Sequence, residues 1–257
     1  MKTRIPTSIA DRWSSLGALS EMADRARQWG GGQSPSYLRR WGILSDPYRI
    51  RESLERQDRE EGAAAKILAQ HGWYADPDLT SGSAQALAAL FKGGQVEKGN
   101  ETQCLLVERR LPEIEAAIVK AQPKRAVIIG QAFSAHRRGE YALSIPVLLA
   151  QADGICNDLF AVQLYARRRN SPEMKLVEKL GSVAVQIGSA IIPLLEASPI
   201  AWNQNERKTA GPILNRHAVI HGEDVDYGTR INGCRAVSYI HYTSTYLPMY
   251  KEACEPD

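Results

Sequence analysis

The chain has 257 residues, of which 44% are hydrophobic and 24% are charged, an ordinary balance for a globular protein. This composition excludes a wholly disordered or fibrous protein, and the length allows one large domain or two small ones. The formal net charge is only +3, from 32 basic and 29 acidic residues, whereas nucleic-acid binders are often strongly basic. Any basic binding site must therefore be local.

The cysteines and the apolar runs indicate the compartment. No two cysteines form a C-x-x-C pair, which excludes the usual thiolate zinc and redox motifs; the four are Cys104, Cys156, Cys234 and Cys254. The N-terminus lacks the apolar core of a signal peptide. The longest apolar run, 182–197, contains Gln186 and Pro193 and is shorter than the roughly 20 residues that span a bilayer. We therefore expect a cytoplasmic protein with free thiols and no membrane segment.

The first hundred residues contain two segments with helical character. Good helix formers run from Ser53 to His71 and stop at Gly72, and serines suited to an N-cap open a second helix over Ser81–Phe91. The stretches 29–48 and 91–100 are rich in turn-forming residues and look irregular, and the second makes a soft boundary. We therefore predict an N-terminal, mostly helical region of unknown role over residues 1–100.

After this boundary, apolar residues recur at helical spacing over four segments, which are 101–121, 123–139, 141–169 and 171–197. Pro112 should kink or split the first segment, and Gly139 should end the second. The third segment predicts one long kinked helix in spite of Pro146 and Gly154. No stretch of useful length shows the alternation of a β-strand.

Two more helices are predicted near the C-terminus. Pro212 suits the first turn of a short helix that would extend to about His221, where Gly222 follows. Thr229 can serve as the N-cap of the next helix. The predicted fold class is all-α, with a helical bundle over residues 101–257.

The stretch 214–229, LNRHAVIHGEDVDYGT, concentrates ionisable side chains at the end of that short helix. His217 and His221 lie four residues apart and share one helix face, a spacing that also suits a metal with oxygen ligands from Glu223, Asp224 and Asp226. The H-E-x-x-H motif is absent because Ala218 follows the first histidine. A purely structural pair that closes the helix end is a further alternative. We expect no metal and no cofactor.

The segment RHAVIH, Arg216 to His221, matches the R-x4-6-H signature of the HEPN superfamily, with a polar residue after the arginine. The long segment YALSIPVLLAQADG followed by NRHAVIHG resembles a group of uncharacterised bacterial HEPN-like proteins, and the resemblance covers roughly residues 101–256. It implies an all-helical domain. Many members are metal-independent ribonucleases of toxin, antiphage and RNA-processing systems, and others only bind RNA or protein partners.

The chemistry of RNA cleavage gives these residues roles. Attack by the 2′-hydroxyl needs a group that moves a proton near neutral pH and a cation that stabilises charge on the phosphorane. His221 is the expected acid or base, Arg216 the phosphate clamp and His217 a third catalytic candidate. On an ideal helix Arg216 and His221 are separated by about 140°, so one protomer makes a poor site. The resemblance implies a homodimer with facing motifs.

Other polar residues are expected to support the site. Gln151 and Asp153 lie on the long predicted helix, where a carboxylate could orient His221 or pair with the arginine of the motif. Tyr227 is expected to pack against the motif. Glu223 stands where one HEPN variant carries a tyrosine that a partner nucleotidyltransferase modifies, so no regulatory partner can be inferred. The basic residues proposed to contact RNA are Arg137, Arg138, Arg167, Arg168 and Arg169.

Together these observations predict a HEPN-like, metal-independent endoribonuclease that acts on RNA as a dimer. The main alternative is a non-catalytic HEPN-like module that binds RNA, a nucleotide or a protein. A third alternative is a structural protein in which the motif only closes a helix end.

Overall fold

The computed structural model describes residues 60–74, 76, 81–161, 198–202, 204–209, 213–245 and 247–248. The chain divides into two units, Met1–Glu60 and Glu61–Asp257, and every described residue except Glu60 belongs to the second. The described residues are 80% helical and include no strand, which confirms the all-α prediction. The predicted irregular stretch 29–48 and the predicted helix over 171–197 lie outside these residues.

The described residues form α-helices and two short 3-10 turns. Single turns of 3-10 helix cover Pro123–Arg125 and Pro199–Ala201. In chain order the α-helices are α1 (60–70), α2 (Ser81–Lys92), α3 (Val96–Arg109), α4 (Leu111–Ala121), α5 (Ala126–Arg137), α6 (Tyr141–Phe160), α7 (Gln204–Thr209), α8 (Arg216–Ile220) and α9 (Arg230–Thr245).

Helix α9 is the centre of the described core. Every residue from Asn232 to Ser244 is buried, and the helix packs against α6, α3 and α4. A helix with buried residues on all its faces belongs to the interior rather than to the surface of a domain. The position of α9 therefore determines where the surrounding helices lie.

The segment after α1 packs into the same core. Tyr74 is 1% exposed, and its ring lies 5.0 Å from the ring of Tyr239 and 5.3 Å from that of Tyr242, both on α9. The backbone N–H of Tyr74 donates a 3.0 Å hydrogen bond to the hydroxyl of Ser238. Trp73 is fully buried and donates from its indole N–H to Asn100 of α3 at 3.0 Å. Trp73 and Tyr74 thus share apolar and polar contacts with α3 and α9.

Several helix ends lie where the sequence places them. Helix α3 ends at Arg109 and α4 begins at Leu111, with Pro112 in its first turn, which confirms the predicted split. Helix α5 ends at Arg137, just before Gly139 takes a left-handed φ of 75°. The hydroxyl of Thr229 accepts a 3.2 Å hydrogen bond from the backbone N–H of Asn232, as expected of the N-cap of α9.

Three predicted boundaries are wrong. The helix predicted over 141–169 ends at Phe160, because Ala161 takes a left-handed φ of 55° that an α-helix cannot continue. The stretch 91–100 is helical from Val96, and Gly99 allows α3 to pass the ring of Phe91. A Cβ at that glycine would lie 2.8 Å from the ring. The helix predicted from Pro212 begins at Arg216 instead.

Helix α6 contains Pro146 and remains helical around it. Proline lacks the N–H that would bond to the carbonyl four residues earlier, which is that of Ala142. That carbonyl instead accepts a 2.9 Å hydrogen bond from the hydroxyl of Tyr227. The tyrosine therefore supplies the donor that the proline lacks, and this contact links α6 to the loop before α9.

In the part of the chain that the structure describes, no helix has both the length and the apolar character needed to cross a lipid bilayer.

The close contact of α6 and α9 gives a test of this packing. A Cβ at Gly233 would lie 2.6 Å from the ring of Tyr141 and 3.0 Å from that of His136. We expect Gly233→Ala to lower the free energy of unfolding by about 1–3 kcal/mol, because overpacking outweighs the gain in helix propensity. Urea denaturation measures the change. Gly82→Ala is the control, since no heavy atom lies within 4 Å of its added Cβ; equal stability of the two variants would contradict this packing.

Candidate functional site around the histidine pair

The helix that carries the histidines is anchored at its N-terminus by Asn215. This side chain is 2% exposed, and its oxygen accepts a 2.9 Å hydrogen bond from the backbone N–H of Ala218. Its amide donates to the carbonyls of Pro199 at 2.8 Å and Trp202 at 2.9 Å. Asparagine is a preferred N-cap residue, and here it also joins α8 to the preceding 3-10 turn. The start of the motif is thereby fixed.

The C-terminus of α8 is closed by its own backbone. Gly222 has a φ of 69°, and its N–H donates to the carbonyl of Val219 at 3.2 Å. The N–H of Glu223 donates to the carbonyl of Ala218 at 2.8 Å. Together these bonds form a Schellman motif, which requires a left-handed residue that glycine adopts without strain. The turn places Glu223 directly after the histidines.

His217, the second residue of α8, and His221, which follows its last residue, form an exposed pair. Their ring centroids are 4.3 Å apart, with 50° between the ring planes. Both residues are exposed, and the side chain of His217 retains 49% of its accessible surface. The two imidazoles are therefore in contact with each other and accessible to a ligand from solvent.

A carboxylate and an arginine lie beside the pair. Glu223 is 3.6 Å from Nε2 of His217 through its Oε1 atom, and its Oε2 atom accepts a 2.6 Å hydrogen bond from Nη2 of Arg207 on α7. The hydrogen bond from Arg207 is the main reason that the pKa of Glu223 lies below its usual value, and the charges of Arg207, His217 and His221 lower it further. Glu223 is thus a carboxylate at the centre of a small cationic group.

Arg216 points to a different part of the protein. Its guanidinium forms a charge-assisted hydrogen bond with Asp153 of α6, and the two side chains are 16% and 27% exposed. Burial raises the pKa of Asp153, and the nearby Arg216 opposes this rise. The two ends of the R-x4-H segment therefore have different surroundings, since the arginine is held against α6 while His221 lies on the surface with His217.

The remaining predicted site residues are distributed more widely. Gln151 accepts a 2.8 Å hydrogen bond from Nη1 of Arg125, which also pairs with Asp158. Tyr227 bonds to the start of α6 as described above. Arg137 pairs with Glu115, and Arg138 forms two hydrogen bonds with Glu140. Gln151 and these two arginines thus contact partners other than the motif. The other predicted RNA contacts, Arg167, Arg168 and Arg169, lie outside the described residues.

Two residues of this region were not predicted from the sequence. Asn215 directly precedes the motif, and the preference for asparagine at helix N-caps is a signal that identifies it. Arg207 lies on a separate helix, and nothing in the local pattern connects it with Glu223. Within the described ranges, no group of three or more histidine, cysteine, aspartate or glutamate side chains could hold a metal ion.

Comparison of the chain with protein-family models, with curated proteins and with solved structures finds no significant match. The HEPN resemblance rests on the residues of the motif and their setting alone.

The triple bonding of Asn215 gives a test of how the site is held. Asn215→Ala removes the cap bond and the two hydrogen bonds to the carbonyls of Pro199 and Trp202, so we expect the free energy of unfolding to fall by at least about 2 kcal/mol. Thr229→Ala removes one cap bond and should cost only about 1 kcal/mol. Chemical denaturation of both variants measures the difference, and an equal loss would show that the bonds to Pro199 and Trp202 contribute nothing.

Proposed function

We propose that this protein is a HEPN-like, metal-independent endoribonuclease that cleaves RNA through attack of a 2′-hydroxyl on the adjacent phosphate. The products would be a 2′,3′-cyclic phosphate and a 5′-hydroxyl. The observation that carries the proposal is the exposed contact between His217 and His221, with ring centroids 4.3 Å apart, along the short helix that begins with Arg216. Such a nuclease would suit a toxin or antiphage effector in the cytoplasm.

The reaction needs two proton transfers, and the histidine pair offers two groups for them. One imidazole would accept the proton of the 2′-hydroxyl as its oxygen attacks phosphorus. As the bond from phosphorus to the 5′-oxygen breaks, a protonated imidazole would donate a proton to that oxygen. Imidazole is suited to both roles because its ordinary pKa lies near neutral pH. We assign the acid–base chemistry to His217 and His221.

Arg216 would stabilise the negative charge that grows on the phosphorane oxygens. Its guanidinium is a planar group of N–H donors that matches phosphate geometry and remains charged throughout the pH range of the reaction. Asp153 fixes the orientation of this group in the free protein. Because the arginine and the exposed histidines project from α8 in different directions, the proposal includes a symmetric dimer in which facing motifs complete each other.

A non-catalytic HEPN-like module is the second candidate. Its support is the ion pair of Arg216 with Asp153 and the 16% exposure of the arginine side chain. A module of this kind would bind RNA, a nucleotide or a protein through the exposed histidines without cleaving a bond.

The two candidates differ in the effect of removing an imidazole. Purified protein would be incubated with total RNA and defined RNAs in excess EDTA, and fragment lengths and end groups would be determined. We expect wild type to leave cyclic phosphate ends and His217→Ala or His221→Ala to lower the rate by about 100- to 10,000-fold, as loss of a general acid or base does. Arg216→Ala should also lower the rate, without a change of end chemistry.

His71→Gln is the matched control, because His71 is a half-buried histidine whose ring stacks on Phe91 rather than on a residue of the motif. Its variant should cleave as wild type does. Cleavage that EDTA abolishes, or that survives both histidine substitutions, would contradict the proposal. Binding of RNA by a folded wild type that leaves every fragment intact would favour the non-catalytic module.

A further inference from the structure

Arg207 lies outside the R-x4-H segment but reaches the histidine pair from α7. Its Nη2 atom donates to Glu223 at 2.6 Å, and its side chain is 18% exposed. The Nε atom is buried, and among the described residues it has no hydrogen-bond partner. Most of this side chain is thus buried, while its outer nitrogen bonds to an exposed acid.

Glu223 lies among basic side chains. It contacts Arg207 through one oxygen and approaches His217 to 3.6 Å through the other, and the ring of His221 lies 4.3 Å from that of His217. The side chain of Glu223 is 40% exposed. Groups from two separate helices therefore converge on one solvent-facing carboxylate.

We propose that Arg207, His217 and His221 form a binding site for a phosphodiester group of a nucleic acid, and that Glu223 occupies this site as an internal counter-ion until the phosphate displaces it. The identification of the anion as an RNA phosphate rests on the proposed function. The grouping of the three basic side chains around one anion is independent of that function.

The exchange of one anion for the other is physically simple. A carboxylate and a phosphodiester each carry one negative charge, and both accept hydrogen bonds from a guanidinium fork. The backbone of Glu223 is held by its bond to the carbonyl of Ala218 at 2.8 Å, so only its side chain must rotate to open the site. A side chain exposed to this degree changes rotamer without disturbing the core.

A binding assay that does not depend on cleavage tests this site. The probe is a fluorescent 2′-O-methyl oligoribonucleotide, which has no 2′-hydroxyl to attack its phosphates, and anisotropy at fixed salt gives the Kd. We expect Arg207→Gln to weaken binding by about tenfold, because a charge-assisted contact to phosphate is lost. Glu223→Gln should tighten binding by roughly three- to tenfold, since the competing charge is gone.

The pair of Arg125 and Asp158 provides matched controls. It is an arginine–carboxylate pair joined by a 2.8 Å hydrogen bond in a different part of the chain, and its arginine side chain is 22% exposed. Arg125→Gln and Asp158→Asn make the same changes of net charge and should alter the Kd by less than about twofold. If substitutions in the two pairs changed the Kd equally, net charge alone would explain the result, and the proposal would be overturned.

The Glu223→Gln variant distinguishes two roles of Glu223, which are a counter-ion that phosphate displaces and a side chain that positions Arg207. If this variant binds the probe more weakly than wild type, Glu223 holds Arg207 in place and the counter-ion role is wrong. The test also remains valid if Arg207→Gln misfolds, because Glu223 is an exposed residue whose substitution leaves the core intact.

The assay separates this site from the proposed ribonuclease. If the variants change probe binding as predicted but unmodified RNA stays intact, the binding site is supported and the ribonuclease proposal is wrong. Cleavage of RNA with no effect of Arg207→Gln or Glu223→Gln on probe binding would overturn the site and leave the nuclease.

Discussion

Helix α9 is buried on all its faces from Asn232 to Ser244. Its polar side chains are shielded from water and therefore need hydrogen-bond partners within the protein. Arg235 has the greatest need of partners. Its guanidinium donates to the amide oxygens of Asn232 at 3.0 Å and Asn100 at 3.2 Å and lies 5.4 Å from the centre of the Trp73 ring. Burial lowers the pKa of Arg235 to about 10, so it stays charged at neutral pH. These contacts join α9 to α3 and to the segment after α1.

The packing of α6 on the buried helix α9 also determines where the histidine pair lies. Gly233 allows the ring of Tyr141 to lie against α9, which fixes the first turn of α6. From that helix, Asp153 holds the arginine of the motif and the carbonyl of Ala142 holds the tyrosine of the following loop. The two ends of the segment 216–227, which carries the histidines, are thus tied to one helix. The surface position of the pair is a consequence of how α6 packs on α9.

Local chemistry in the sequence was sufficient for some of this structure. Pro112 and Thr229 act through their own backbone and side-chain geometry, so the split of α3 from α4 and the cap of α9 could be predicted. The end of α6 could not, because apolar spacing continues past Ala161, and only its left-handed backbone stops the helix. Arg207 could not be assigned to the site either, since its contact with Glu223 depends on tertiary packing rather than on spacing.

The C-terminus of α8 shows whether its histidines are needed to close the helix. If the imidazoles were needed to close the helix, they would contact the last carbonyls, but backbone N–H groups of Gly222 and Glu223 already bond to the carbonyls of Val219 and Ala218. An exposed pair adds little to folding stability, since surface side chains usually contribute less than about 0.5 kcal/mol. Closure of the helix therefore gives no reason for two histidines in contact, one of them 3.6 Å from a carboxylate that Arg207 holds. Proton transfer and anion binding at the surface both give such a reason, and the exposed contact of the pair therefore favours a functional role over a structural one.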